Sequence, residues 1–276
     1  MQNLAERVII ERKGAVAHVR LSRPEKRNGL DRPMFEAIRE AGRALATDTS
    51  VRSVVLSGDG PTFCAGLDFK AMMSAGPAAI PALLARPEGD EANLAQSVAW
   101  VWRELPVPVV CAIHGAAYGG GLQIALGADI RYATPDAKLS VMEMRYGIIP
   151  DMGASKTLLE LIPPDIAREL TYTARVFDAK EGLSLGLVTA LHDDPLAAAW
   201  QTAEAIAAQN PDAIRAAKRL YREAPRLSSA ESLKLESELQ IPLLGSANQL
   251  EAVQAAMMKR PAQFQDPASE SEKLEP

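Results

Sequence analysis

The sequence predicts an α/β core followed by a helical region, and two observations predict it. Short β-branched runs alternate with helical periodicities up to about Val188. Beyond Pro164 the pattern turns almost wholly helical, with apolar residues at helical rather than alternating spacing. The 276 residues suffice for one large domain or a domain with an appendage.

Val8–Glu11 and Ala15–Leu21 read as strands around the turn Arg12-Lys13-Gly14. Ala17, Val19 and Leu21 alternate with His18 and Arg20, the pattern of a half-buried strand. Asp31-Arg32-Pro33 opens a helix, with Asp31 as cap and Pro33 in the first turn; Met34, Ile38, Ala41 and Leu45 follow at helical spacing. Val51–Ser57 is a strand ended by Gly58-Asp59-Gly60-Pro61. Ser74–Asn93, rich in Ala, Pro and Gly, is expected to be a loop or insertion, with Trp100 and Trp102 packing beneath it. Val107–Ile113 is a strand, Gly121–Ala128 a short helix, Asp129–Ala133 a strand and Leu158–Leu161 helical. Ala197–Ala208, Asp212–Tyr221, Ser229–Leu243 and Gln249–Met258 complete the helical region.

Net charge is −5, so nothing favours nucleic acid. The first residues lack a basic segment followed by a long apolar core, so no secretory signal is expected. No apolar run reaches the roughly 20 residues of a membrane span. Two cysteines, Cys64 and Cys111, are too few for a disulfide framework and point to the cytoplasm. His18, His114 and His192 form no HxxxH pair, and no Cys/His cluster exists, so no metal is expected. GxGxxG, GK[ST], GxSxG and SxxK are all absent, which removes the usual dinucleotide, phosphate-loop and serine-nucleophile signatures.

Three segments remain as chemistry. Gly119-Gly120-Gly121 stands between a strand and a helix, where unpaired N–H groups can face an oxyanion; a tight turn would use the same residues. Phe63-Cys64-Ala65-Gly66-Leu67-Asp68-Phe69-Lys70 follows another strand, and the Leu67 N–H is a second candidate donor, with Asp68 as a helix cap in the plainer reading. Glu143 and Asp151 flank a turn among Met142, Met144, Ile148 and Ile149. An acid in apolar surroundings exchanges protons near neutral pH. In the plainer reading these are a surface acid and a helix cap.

Together RPEKRNGLD (Arg23–Asp31), PTFCAGLDFK (Pro61–Lys70), PVPVVCAIHGAAYGGGLQIALGADIRYA (Pro106–Ala133), EMRYGIIPDMG (Glu143–Gly153) and FDAKEGLSLGLV (Phe177–Val188) resemble the crotonase superfamily, the enoyl-CoA hydratase/isomerase family. The resemblance runs from about Val8 to about Phe264. It implies a spiral of ββα units with a helical C-terminal trimerisation region: an acyl-CoA-binding core over 1–190 and a helical region over 191–265. The polar, proline-containing residues 266–276 read as a flexible tail. The resemblance also implies an acyl-CoA thioester substrate, no cofactor besides its coenzyme A, and a homotrimer or homohexamer. The thioester carbonyl would sit between the N–H groups of Leu67 and Gly120. Lys26, Arg27, Ala65, Asp68, Phe69 and Lys70 would lie along the CoA moiety, and Phe264 would close a neighbour's pocket.

Family hydratases hold water between two glutamates, which fall here at Gln123 and Glu143. Dienoyl-CoA isomerases of the family carry acids at the positions of Gln123, Glu143 and Asp151. Gln123 cannot accept a proton; it can only orient by hydrogen bonding. The retained pair therefore points to double-bond isomerisation, with hydration as the alternative. A non-catalytic acyl-CoA-binding relative and a thioester hydrolase are further alternatives.

Overall fold

The protein is represented by a computed structural model that describes residues 1–268. In chain order the elements are β1 (Gln2–Leu4), β2 (Val8–Lys13), β3 (Val16–Leu21), α1 (Arg32–Thr47), β4 (Ser53–Gly58), α2 (Phe69–Ser74), α3 (Ala79–Leu84), α4 (Leu94–Glu104), β5 (Val109–Ile113), β6 (Ala116–Tyr118), α5 (Gly120–Leu126), β7 (Ile130–Ala133) and β8 (Lys138–Ser140). A 3-10 turn, Glu143–Tyr146, leads to α6 (Ala154–Leu161), α7 (Pro164–Thr173), β9 (Phe177–Asp178), α8 (Ala179–Leu185) and β10 (Ala190–Leu191). The chain then continues through α9 (Pro195–Ala207), α10 (Pro211–Glu223), α11 (Ser229–Gln240) and α12 (Ala247–Met258).

The main sheet has seven strands in the order β1-β2-β3-β4-β5-β7-β10. β1, β2 and β3 are antiparallel, and β3 through β10 run parallel, with Leu21 level with Gly58 and Leu56 level with Cys111. A small sheet, β6-β8-β9, lies beyond it. Parallel strands need helices on both faces. One face carries the main core, with Met34, Phe35 and Ile38 of α1 and Val98 and Trp102 of α4. On the other face Ala199 and Ala203 of α9 cover Val16, Val55, Val110 and Ala112.

That second layer corrects the reading of β3 as half-buried. His18 is buried too, with Nε2 2.8 Å from Ser57 Oγ and its ring edge-on to Trp200 of α9. Burial first, then the charge of Arg20, lowers His18 to a pKa of about 4. Ser74–Asn93 is not wholly loop: α3 lies within it and buries Leu83. The start of the expected tail is tied down, since Asp266 accepts from Arg52 at 2.8 Å. The rest of that tail, 269–276, lies outside the described residues.

Asp31 caps α1 by accepting from Met34 N at 3.0 Å, as its sequence position predicts. Asn93 and Gln96 form a reciprocal capping box on α4. These caps fix where each helix begins relative to the strand ends, and the strand ends carry the site.

Candidate active site

β3, β4 and β5 are parallel and release their chains at one edge of the sheet. Ligands of open α/β sheets collect at such carboxyl ends. Here the loop after β4 is sewn to its neighbours on both sides. The buried Asn28 is the hub. Its Nδ2 donates to the carbonyls of Asp59 (2.9 Å), Thr62 (2.9 Å) and Phe63 (3.0 Å), and its Oδ1 accepts from Arg23 N at 2.8 Å. Leu30 N bonds Gly66 O (2.8 Å) and Asp68 N bonds Leu30 O (3.0 Å). On the other side Cys64 N bonds Ala116 O and Tyr118 N bonds Cys64 O, both at 3.1 Å.

Among the described residues this pattern leaves the Leu67 N–H without an acceptor. The Gly120 N–H is also free, because the first amides of a helix have no intrahelical partner. Gly66 lets the two loops meet. Its φ is +86°, and an added Cβ would lie 2.6 Å from Tyr118 O and 3.6 Å from Gly120 N. Two free donors on adjoining loops are the arrangement that stabilises an oxyanion.

The acids come from the segment after β8. Glu143 is buried on the 3-10 turn. Its Oε1 accepts from Gln123 Nε2 at 2.6 Å and would lie 3.1 Å from a Cβ added at Gly119. Among the described residues its Oε2 is buried with no hydrogen-bond partner. Burial raises the Glu143 pKa, against the hydrogen bonds from its own backbone and from Gln123; the Asp151 charge adds to the rise. Burial also raises the half-buried Asp151.

Asp151 is not a helix cap. The N-cap of α6 is Gly153, which has no side chain of its own to bond the first turn. Instead Gln123 Oε1 accepts from Met152 N (2.8 Å) and Ala154 N (3.3 Å). The expected apolar enclosure is also different. Met144, Ile148 and Ile149 are exposed, Ile149 at 69%. Leu30 Cδ1 and Met152 Sδ instead fill the space beside Gly120, where each would lie 2.8 Å from an added Cβ.

Of the residues expected along CoA, Lys26, Arg27, Ala65, Asp68, Phe69 and Lys70 share one rim of the site. Lys26 and Arg27 are exposed, and the Arg27 carbonyl accepts from Ala65 N at 3.0 Å. Asp68 is occupied: it caps α2 by accepting from Ala71 N (3.0 Å) and pairs with Arg23 Nη1 (2.8 Å). The Ala71 bond and the Arg23 charge hold its carboxyl below the usual range, against its burial. The Phe69 ring packs on Tyr146, centroids 4.4 Å apart. Phe264 is not brought to this rim within the chain. Its carbonyl accepts from Arg52, just before β4, at the opposite end of that strand.

Sequence reasoning missed Asn28, Arg23 and Tyr146 as site-building residues. The signal for Asn28 was the run Arg27-Asn28-Gly29: both Arg27 and Asn28 take a positive φ, a conformation asparagine tolerates. Among the described residues no group of three or more His, Cys, Asp or Glu could hold a metal ion. Both cysteines are buried, which pushes their thiols up and away from nucleophilic use.

Two free amides on adjoining loops, with two desolvated acids on the segment after β8, can polarise a carbonyl and move a proton beside it. Residues 11–267 match the family model described as Enoyl-CoA hydratase/isomerase, so the chain belongs to that family and has the crotonase fold. The mitochondrial Delta(3,5)-Delta(2,4)-dienoyl-CoA isomerase of Mus musculus is 34% identical over 263 residues, covering 89% of this chain and 77% of its own. Enoyl-CoA hydratase EchA19 of Mycobacterium tuberculosis is 31% identical over 271 residues, covering 94% and 96%. The crystal structure of an enoyl-CoA hydratase from Bacillus anthracis superposes with a TM-score of 0.87 at 27% identity, covering 94% of this chain and 98% of its own.

Proposed function

We propose that the protein shifts a double bond in an unsaturated acyl-CoA thioester, taking 3-enoyl- or 3,5-dienoyl-CoA through an enolate. The observation that carries this reading is the state of the acids. Glu143 and Asp151 are both desolvated and near one another, while the third candidate position is the amide of Gln123. The thioester oxygen takes hydrogen bonds from Leu67 N–H and Gly120 N–H, each worth about 3 kcal/mol to the developing charge. Asp151 takes the proton beside the carbonyl, and the electrons of that C–H bond move into the enolate. Glu143 gives its proton to a carbon further along the acyl chain, and the electrons return from oxygen. Each turnover leaves Asp151 protonated and Glu143 ionised, and exchange with solvent resets them. No cofactor is needed beyond the CoA of the substrate.

Hydration of 2-enoyl-CoA is the second reading, supported by the retained Glu143 and by the likeness to named hydratases. The substrate assay separates the two. Supplied with 2-enoyl-CoA and 3,5-dienoyl-CoA separately, the protein converts the diene faster, followed by ultraviolet absorbance. Faster loss of enoyl conjugation with a 3-hydroxyacyl product would establish hydration instead.

Lys26, Arg27, Phe69 and Lys70 supply the rim against which CoA lies, with Ala65 beneath it. Asp68 acts there through its brace on Arg23 and α2 rather than as a free carboxylate. Exposed Leu233, Leu250, Val253, Met257 and Met258 on α11 and α12 support self-association of the helical region, as a homotrimer or homohexamer. In such an assembly Phe264 meets a neighbour's site. Two unpaired thiols suit the reducing cytoplasm. No helix among the described residues is long and apolar enough to cross a membrane.

A further inference from the structure

Gln123 is almost wholly buried, and every polar atom of its side chain has a partner on an acid-bearing segment. Oε1 faces Met152 N and Ala154 N, on either side of Gly153 and directly after Asp151. Nε2 faces Glu143 Oε1. Backbone N–H groups can only donate, so the amide oxygen must point at them and the NH₂ must point at Glu143. The reversed amide would set NH₂ against two N–H groups and oxygen against a carboxyl oxygen. Only one orientation is compatible with both neighbours.

We infer that Gln123 is a positioning residue that clasps the two acid segments together and dictates which Glu143 oxygen carries the proton. An oxygen that accepts an N–H at 2.6 Å has no room for a proton on the same side. The Glu143 proton is therefore carried on Oε2, the atom with no partner among the described residues. The other end of the clasp holds the turn that carries Asp151, so one amide sets the spacing of base and acid. This inference rests on the reading of Glu143 and Asp151 as the proton-moving pair, and it adds the atom and the device.

Two variants separate the two ends of the clasp. Gln123→Glu keeps an acceptor for Met152 N and Ala154 N but sets a second carboxyl against Glu143 Oε1. Gln123→Met removes both bonds at similar volume. The first readout needs no substrate: titration of the Glu143 carboxyl by ¹³C NMR, its signal identified by its loss in Glu143→Gln. The Glu143 midpoint is expected to rise in both variants, and in Gln123→Glu the pair titrates in two coupled steps. The second readout is the pH profile of kcat/KM, in which the acid limb reports ionisation of Asp151 and the basic limb ionisation of Glu143. The basic limb moves up in Gln123→Glu while the acid limb holds. In Gln123→Met, kcat falls about 10- to 100-fold with KM little changed, the size set by a lost hydrogen bond to a charged group. An unmoved Glu143 midpoint in both variants overturns the inference, as does a Gln123→Met loss that tracks only loss of folded protein. Failure of the wild type to turn over any enoyl- or dienoyl-CoA would sink the proposed function instead, and the NMR titration would still test the clasp.

Discussion

The two ends of the central sheet both bury charge, and they treat it in opposite ways. At the amino ends of β5 and β7, Lys218 of α10 is only 6% exposed, yet its ammonium donates to Trp102 O (3.0 Å), Val107 O (2.8 Å) and Asp129 Oδ2 (2.8 Å). Each of its three protons has an acceptor, and Asp129 offsets the cost of burial. At the carboxyl ends the balance is withheld. Among the described residues Glu143 has a single side-chain donor, one bare oxygen and the charge of Asp151 acting on it. Satisfied buried charge ties helix α10 to the core; unsatisfied buried charge is a store of reactivity.

That contrast breaks most visibly at Asp151. Asp151→Asn is expected to lower kcat by about 10²- to 10⁴-fold, the range for losing a general base, with affinity for the CoA ester nearly unchanged. If steady-state kinetics instead show KM rising while kcat holds, the residue contributes binding rather than proton transfer. Gly66→Ala comes next. A methyl group there meets Tyr118 O in a backbone region L-residues avoid, so the Leu67 N–H swings off the Gly120 N–H. The expected loss in kcat is about 10²-fold, comparable to removing one oxyanion donor; the same melting curve as the wild type with full activity would show that the loops need not converge.

The smallest effects are in stability and differ in sign between the two ends. Lys218→Met leaves two buried carbonyls without a donor and costs about 1–3 kcal/mol, with kcat per folded molecule unchanged. Glu143→Gln is expected to stabilise. The folded-state pKa of Glu143 is raised above its unfolded value. Its favourable contribution is therefore present below the unfolded pKa and lost as pH rises through the folded one, where the buried carboxylate becomes a cost. The melting temperature of Glu143→Gln should exceed that of the wild type at neutral and alkaline pH, by about 2 °C per kcal/mol. The gain should vanish towards acid pH. A constant gain across pH in calorimetry would trace the effect to packing rather than ionisation.

The features the sequence displayed were those whose causes are local. The cap at Asp31, the strand-to-helix glycines and the acids at Glu143 and Asp151 all sit within a few residues of what makes them recognisable. The features it hid depend on distant partners. His18 reads as a solvent-facing position until Trp200, from a helix far along the chain, closes over it. Asp151 looks like a cap because it precedes α6, but the capping oxygen comes from Gln123, on another helix. Met144, Ile148 and Ile149 look like pocket walls by composition, yet their turn points them outward. Asn28 reads as an ordinary turn residue, because its three carbonyl acceptors lie more than thirty positions away.

Helix α9 bears on how the chain can be divided. A polypeptide ending after β10 would keep every residue of the acid pair and both oxyanion loops, yet it would strip Val16, Val55, Val110 and Ala112 of their cover. The bared face would be a contiguous apolar strip along three neighbouring strands, β3, β4 and β5, the kind of surface that drives aggregation. The shortest piece of this enzyme that stays in solution is therefore set by the far side of the sheet and extends at least to Ala207, well past the last residue that touches the chemistry.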